Sequence, residues 1–303
     1  MLIIEIPSLL CTLFLLYYLF SDRTLRLALH NHVIMILLVL TLVYELIAMP
    51  LYLNYFRTAT IWPSLPGICL MMWMIGFGCY NTCTILVAWA SIERHILVFY
   101  HRLLTTRIQR IFIHYLPLVA ILTYTTVFYV KVILFSNCEN RFNYSLELCG
   151  ANPCYQTDPF LAMWDVLLNG VIPTFVIGLF SLILLRRVIQ QKRTVGCRLE
   201  WKRYRKLTLQ LLSVASLHFF FDFPLTLVRF VQLTGHRGWA IEIESVFFFT
   251  SYFVLLLQPF VTLNSIPNIG KKFKKLMSRQ RRSTAIPLTN TKTNRRVAIA
   301  PIA

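Results

Sequence analysis

Residues 32–52 read HVIMILLVLTLVYELIAMPLY, a run in which Glu45 is the only Asp, Glu, Lys or Arg. A helix of about 20 mainly apolar residues is long enough to cross the hydrocarbon core of a bilayer. Similar runs recur along the chain of 303 residues, which is 57% hydrophobic and 14% charged. Backbone polar groups must be paired inside lipid, so each run is expected to form a helix. The sequence therefore predicts an all-α membrane protein.

The long apolar runs predict seven spanning helices. They lie near residues 2–20, 32–52, 67–92, 111–135, 161–187, 207–233 and 243–264. Residues 267–278 alternate apolar and basic side chains at helical spacing, which predicts a short amphipathic eighth helix on the membrane surface. The expected organisation is a seven-transmembrane domain over residues 1–278, followed by a disordered basic cytoplasmic tail over residues 279–303.

The net charge of +18 is explained by topology. The basic residues stand in short segments between apolar runs, without a zinc-ligand spacing or a nucleic-acid-binding motif, so no nucleic acid partner is expected. If the N-terminus is outside, the cytoplasmic segments hold all 30 basic residues except Arg57, Lys131, Arg141, Arg229 and Arg237. Because Lys and Arg concentrate on the cytoplasmic side, we expect an extracellular N-terminus, a cytoplasmic C-terminus and location in the plasma membrane.

A Glu-Arg pair stands at the inner end of the third predicted helix, in Ser91-Ile-Glu-Arg-His95. Cys69 precedes Arg94 by 25 residues, and Trp62 precedes Cys69 by seven. Prolines lie inside four other predicted helices, where each removes a backbone hydrogen bond and kinks the helix. These prolines are Pro50, Pro173, Pro224 and Pro259. In spacing and order these features resemble the rhodopsin-like family of G-protein-coupled receptors over essentially the whole chain.

The resemblance implies a receptor that transmits an extracellular ligand's signal to a cytoplasmic heterotrimeric G protein. Glu93 would hold Arg94 at rest and release it on activation. The implied G-protein contacts are Glu93, Arg94, His95, Arg203 and Lys206. The basic stretch 198–206 is also expected to contact anionic membrane lipid.

The sequence departs from the family at several landmarks. Gly76 stands where aminergic receptors carry an acid, so an aminergic receptor is not expected. Thr41, Asp222 and Thr262 replace the family's Asp, Trp and Tyr, so its sodium site and its activation switch cannot be transferred unchanged.

The same resemblance implies a disulfide from Cys69 to the second outer loop, where three cysteines compete. Cys154 is the first choice because it lies nearest to the fifth helix, which would leave Cys138 and Cys149 to each other; Cys149 is the alternative partner of Cys69. Asn143-Tyr-Ser145 in this loop is a predicted glycosylation acceptor.

Ionisable groups inside the membrane are costly and mark functional sites, so acids in the apolar runs predict a ligand pocket. Together with polar and aromatic neighbours, the predicted pocket residues are Glu45, Tyr80, Asp165, Asn169, Asp222, Phe223, Glu244, Phe248 and Tyr252. An acidic, aromatic pocket favours a peptide or a cationic small molecule. The alternative is internal pairing of each acid, Asp222 with His218 and Glu45 with a neighbouring Tyr.

A multi-pass transporter or ion channel is the competing function, because intramembrane acids also mark ion pathways. The chain shows no repeat between its halves and no Gly-rich broken helix, which argues against that class. No hydrolase or metalloprotease motif is present, so no enzyme activity, cofactor or metal is expected.

Overall fold

The structure, a computed structural model, covers the helical bundle and most of its connections. The described residues are 2–99, 106–136, 138–146, 149, 153–194, 209, 212–236 and 238–265. By its contacts the chain divides into Met1–Ser265, which contains the bundle, and Ile266–Ala303. The predicted eighth helix at 267–278 and the predicted tail at 279–303 therefore lie outside the described residues.

Seven helices are long and apolar enough to cross a membrane. Labelled α1 to α7 in order, they are Leu2–Ser21, Asn31–Thr58, Pro66–Leu97, Arg107–Leu134, Pro159–Arg187, Leu212–Leu233 and Glu242–Asn264. Short helical segments, Arg23–Arg26 and Cys154–Thr157, precede α2 and α5. All regular structure in the described part of the chain is helical. The prediction of an all-α fold is confirmed for the described residues, with seven helices long and apolar enough to span a membrane.

Several helices are longer than hydropathy predicted. Helix α2 continues past its apolar run to Thr58 and stops where Ala59 adopts a left-handed conformation, with φ 53°. A left-handed residue is a common helix terminator. The end of this helix is thus set by its C-terminal cap. Hydropathy identifies only the segment of a helix that lies within the hydrocarbon core.

Helix α3 is central in the bundle. It contacts α2, α4 and α5, while α1, α2, α6 and α7 close the rest of the ring. Trp73 and Leu86 of α3 are fully buried. On α6, Phe219 and Phe220 point away from the bundle and are 58% and 69% exposed. An outward apolar face of this kind fits contact with lipid rather than water.

Six stretches of the spanning helices widen into π-helical turns. Four of these turns end two residues before a proline: Tyr44–Ala48, Ile111–Tyr115, Asp165–Val171 and His218–Asp222. Proline has no N–H and its ring crowds the carbonyl four residues earlier, so the preceding turn opens. Pro50, Pro173 and Pro224 follow such turns, whereas Pro259 lies inside the continuous α-helix Ile241–Ser265.

Two disulfides tie one end of the bundle, which we call the disulfide end. Cys69 of α3 is bonded to Cys149, and Cys138 is bonded to Cys154, with Cα–Cα distances of 5.8 and 5.9 Å. The first choice of Cys154 as the partner of Cys69 was therefore wrong, and the alternative, Cys149, is the observed partner. Cys154 opens the turn that enters α5, and Cys138 follows the end of α4, so these two join neighbouring helix ends.

Candidate functional site

A cavity of about 670 Å³, including its open mouth, lies between α2, α3, α5, α6 and α7 towards the disulfide end. Its polar and aromatic wall is formed by Tyr52, Phe77, Tyr80, Asn81, Thr84, Asp165, Asp222, Thr226, Arg229, Phe248, Ser251 and Tyr252. Two carboxylates therefore face one largely aromatic space. Such a concave site with a few convergent polar groups is the usual form of a ligand pocket.

Asp165 accepts three hydrogen bonds from neutral donors. Tyr129 and Asn169 donate to Oδ1 over 2.6 and 2.7 Å, and Tyr155 donates to Oδ2 over 2.8 Å. The Tyr129 oxygen itself accepts from the side-chain NH2 group of Asn81, which can only donate, so the Tyr129 proton is directed to Asp165. Three donors on both oxygens satisfy the ionised form of this buried carboxylate.

Tyr155 lies in the loop ahead of α5 rather than in a spanning helix. Burial, and secondly the Asp165 charge, raise the pKa of Tyr155 well above its usual value. Tyr155 therefore stays protonated and remains a donor to Asp165 at any ordinary pH.

Asp222 forms a second polar cluster. Tyr80 donates to Oδ1 over 2.8 Å and Thr174 to Oδ2 over 3.1 Å. His218, one turn earlier, has Nδ1 at 3.5 Å from Oδ2. The pairing of Asp222 with His218 that was the alternative to ligand contact is thus present, but at a distance too long for a strong hydrogen bond.

Arg229 of α6 stands where this cavity meets a wider one of about 1210 Å³, and it lines both, as does Asp165. Its guanidinium lies 5.7 Å from the ring centres of Phe77 and Phe248 and 3.9 Å from Glu244. From the sequence, Arg229 was expected only as a charge near the outer side. Burying an Arg in the membrane costs about as much free energy as burying an Asp. The criterion that identified the intramembrane acids as pocket residues therefore applies to Arg229 as well.

The predicted pocket residues divide into two groups. Six of them line a cavity. The first cavity is lined by Tyr80, Asp165, Asp222, Phe248 and Tyr252, and the wider one by Glu244. Three others line neither: Glu45, Asn169 and Phe223. The structure places these three side chains elsewhere in the bundle.

Each of these three side chains has another position in the bundle. Phe223 stacks on Phe219, with ring centres 5.5 Å apart, near the outward face of α6. Asn169 is buried behind Asp165 as its hydrogen-bond donor.

Glu45 lies between α1, α2 and α7. Its partner is Ser8 rather than a tyrosine. The Ser8 hydroxyl also lies 2.7 Å from the carbonyl of Leu256, which can only accept. The Ser8 hydroxyl is thus within hydrogen-bonding distance of acceptors on both α2 and α7. Glu45 is part of a polar contact that links three helices.

The opposite end of the bundle carries the Glu-Arg pair. Glu93 is buried and hydrogen-bonded to Nδ1 of His114 on α4. His114 is thus a partner of the carboxyl that was expected to hold Arg94 at rest. Glu93 and Arg94 line a smaller cavity of about 490 Å³ together with Gln258 and Thr262 of α7.

The remaining residues predicted to contact a G protein are only partly described. His95 is buried and packs edge-on against Phe180 of α5, with ring centres 6.0 Å apart. Arg203 and Lys206 lie outside the described residues. Asn143 is exposed in the loop between α4 and α5.

No protein-family model matches the chain, and no curated protein matches it. Within the described ranges, no cluster of His, Cys, Asp and Glu side chains has the arrangement of a metal site.

Proposed function

We propose that this chain is a G-protein-coupled receptor of rhodopsin-like type in the plasma membrane. Its N-terminus and disulfide end face outward, and its C-terminus and Glu-Arg pair face the cytosol. It transmits binding of an extracellular cationic ligand, a basic peptide or a small amine, to a heterotrimeric G protein.

The observation that carries the proposal is the environment of Asp165. Three neutral donors stabilise its charge without neutralising it, and it lines both cavities at the disulfide end. Within the described residues this carboxylate is hydrogen-bonded but forms no ion pair, so it can receive a cation from a ligand. Tyr80, Phe248 and Tyr252 add aromatic faces, which attract cations.

Charge balance supports the same ligand class. Among the described residues, the lining of the two cavities includes one basic side chain, Arg229, and three acids, Asp165, Asp222 and Glu244. Arg229 is already near Glu244 at the mouth. A positive group that enters the inner cavity would offset the negative charge of Asp165 and Asp222. An anionic ligand would be repelled by the same two carboxylates.

Coupling is tested by nucleotide exchange on a co-expressed panel of G proteins, with ion flux measured in the same membranes. Wild type is expected to raise exchange above that of the G proteins alone, and Arg94→Ala is expected to remove the increase. Arg107→Ala, which deletes an exposed charge at the same end, is the matched control. Flux without exchange would instead support the transporter or channel hypothesis.

The ligand class is tested by screening basic peptides and amines against wild type, Asp165→Asn and Asp158→Asn. Asp158 caps the start of α5 from an exposed position, and Asn preserves that capping, so this variant removes a nearby charge harmlessly. Potency should fall by about tenfold or more in Asp165→Asn, equivalent to about 1.4 kcal/mol. Equal potency in both variants would refute Asp165 as the ligand's counter-ion.

A further inference from the structure

The two carboxylates of the inner cavity, Asp165 and Asp222, lie at different depths. Asp222 accepts a hydrogen bond from Thr174, which follows Asp165 on the same helix, α5. At a rise of about 1.5 Å per residue, Thr174 lies up to about 13 Å farther from the disulfide end than Asp165. Asp165 also lines the wider cavity at the mouth, whereas Asp222 lines only the inner one. The inner cavity therefore has one carboxylate near its mouth and a second one deep inside.

Neutral donors stabilise both carboxylates in the charged form. Asp165 accepts three hydrogen bonds on its two oxygens. Asp222 accepts one from the hydroxyl of Tyr80 and one from that of Thr174, on different oxygens. The imidazole of His218 lies 3.5 Å from Asp222, which is too far for a strong hydrogen bond. Because hydrogen bonds stabilise a charge without cancelling it, two negative charges face the same enclosed space.

The wall between the two acids is largely apolar. On α5, Val166 and Gly170 line the cavity between the levels of Asp165 and Thr174, and on α6 Leu225 lines it beyond Asp222. The rings of Phe77 and Phe248 complete this part of the wall. A ligand that reaches both acids thus passes along a surface that suits methylene groups rather than further polar groups.

The charge of the cavity calls for two cations rather than one. Among the lining residues that the structure describes, Arg229 is the basic one, and it lies at the mouth 3.9 Å from Glu244. A ligand with a single positive charge would leave either Asp165 or Asp222 without a counter-charge. An uncompensated charge is costly in a buried site, so a ligand that offsets both acids gains more on binding.

We propose that the ligand is a small diamine, with one ammonium at Asp165 near the mouth and the other at Asp222. This inference rests on the proposed receptor function and names the ligand within its cationic class. Each ammonium stands about 3 Å from its carboxylate, so the two nitrogens are at most about 7 Å apart, the span of an extended diaminoalkane of about five carbons. The cavity, of about 670 Å³ with its mouth, has the size of a small-molecule site.

Affinity for alkyl amines tests the proposal without a G protein. Binding to the full chain in lipid nanodiscs is measured from the ligand-dependent rise in melting temperature. The probes are the linear diamines from diaminopropane to diaminooctane, together with aminopentanol. Aminopentanol has the length of diaminopentane and one of its ammonium groups, but a neutral hydroxyl replaces the second.

Diaminopentane should bind about tenfold or more tightly than aminopentanol, as expected for one additional charge-assisted contact. Affinity in the diamine series should be highest at about four to six carbons, the length that fits between the two acids. Equal affinity of diaminopentane and aminopentanol overturns the proposal. So does affinity that rises steadily to diaminooctane, because that trend reports apolar contact alone.

Removal of either acid should abolish the advantage of the second ammonium. In Asp165→Asn and in Asp222→Asn, diaminopentane is expected to bind no more tightly than aminopentanol. Asp158→Asn, at the exposed cap of α5, is the matched control and should keep the tenfold difference. A folded variant of either cavity acid that keeps this difference overturns the proposal. Melting without ligand identifies the folded variants, and the wild-type series decides the question without any substitution.

Receptor-dependent nucleotide exchange separates this inference from the proposed function. Diamines that bind with the expected length preference but never alter exchange uphold the site and overturn the receptor function. Exchange that responds equally to diaminopentane and aminopentanol upholds the receptor function and overturns the diamine. If no amine binds, the diamine site is overturned, while exchange in the absence of ligand still decides whether the chain couples to G proteins.

Discussion

Replacing Tyr129 with Phe tests the Asp165 cluster most directly. The change deletes one hydroxyl that donates to Asp165 and accepts from Asn81 and Asn169, so it breaks three contacts among α3, α4 and α5. A hydrogen bond to a charged group contributes about 1.5–3 kcal/mol in soluble proteins, whereas side-chain hydrogen bonds within membranes average about 0.6 kcal/mol and reach about 1.7. With one charged partner and two amides affected, the expected loss is about 2 kcal/mol.

The assay is thermal unfolding in nanodiscs with a thiol-reactive fluorophore. The free cysteines Cys11 and Cys83 are buried and react only when the bundle opens. A loss of about 2 kcal/mol should lower the melting temperature by about 4–8 °C, at about 2–4 °C per kcal/mol.

Tyr124→Phe is the matched control, because its hydroxyl bonds only to neutral partners, Asn169 and Trp164, on a half-exposed ring. It should lower the melting temperature by about 2–5 °C, as expected for two membrane-type bonds of about 0.6 kcal/mol each. Equal shifts in both variants would refute the assigned role of Tyr129. So would additivity of Tyr129→Phe with Asp165→Asn, because bonded partners must show coupling.

Three further outcomes are expected. Non-reducing proteolysis and mass spectrometry should recover a peptide pair joined through Cys69 and Cys149; a peptide joining Cys69 to any other cysteine would contradict the fold of the loop. Asn143→Gln should increase electrophoretic mobility to that of the deglycosylated wild type, and an unchanged band after expression at the cell surface would show that this site is unused. Arg229→Gln should cost about 1 kcal/mol in the same melting assay, since it loses a long, partly exposed ion pair and two ring contacts. Glu244→Gln loses the ion pair but not the ring contacts and should cost less; an equal loss in both variants would mean that the ring contacts contribute nothing.

The spanning helices were predictable because lipid imposes a simple requirement on composition and length. Four acids in apolar runs, Glu45, Asp165, Asp222 and Glu244, were also identified, since such groups are rare and costly, whereas the buried Glu5 of α1 was not. What could not be predicted was the direction of each side chain. The wide turns in α2 and α5 shift the helical register, and this is why Glu45 faces α1 and Asn169 lies behind Asp165 instead of in the cavity.

The partner of Glu93 had no signal in the sequence. His114 lies on another helix, and a lone histidine at a helix end is ordinarily a packed polar group. Only the approach of α4 to α3 brings the two together. The disulfide pairing likewise depended on the path of the loop, because proximity to α5 along the chain does not measure distance to α3.

The wide turns have a consequence for how the acids are aimed. Glu45, Asp165 and Asp222 all occupy such turns, each of which contains one residue more than an α-helical turn would need. Removing a single residue there would restore regular winding and rotate one half of the helix by about 100° against the other. The number of residues in the turn therefore decides whether a carboxylate faces the cavity, a neighbouring helix or lipid. A one-residue deletion in α5 or α6 would turn an acid away from the cavity, while hydropathy and composition would stay almost unchanged.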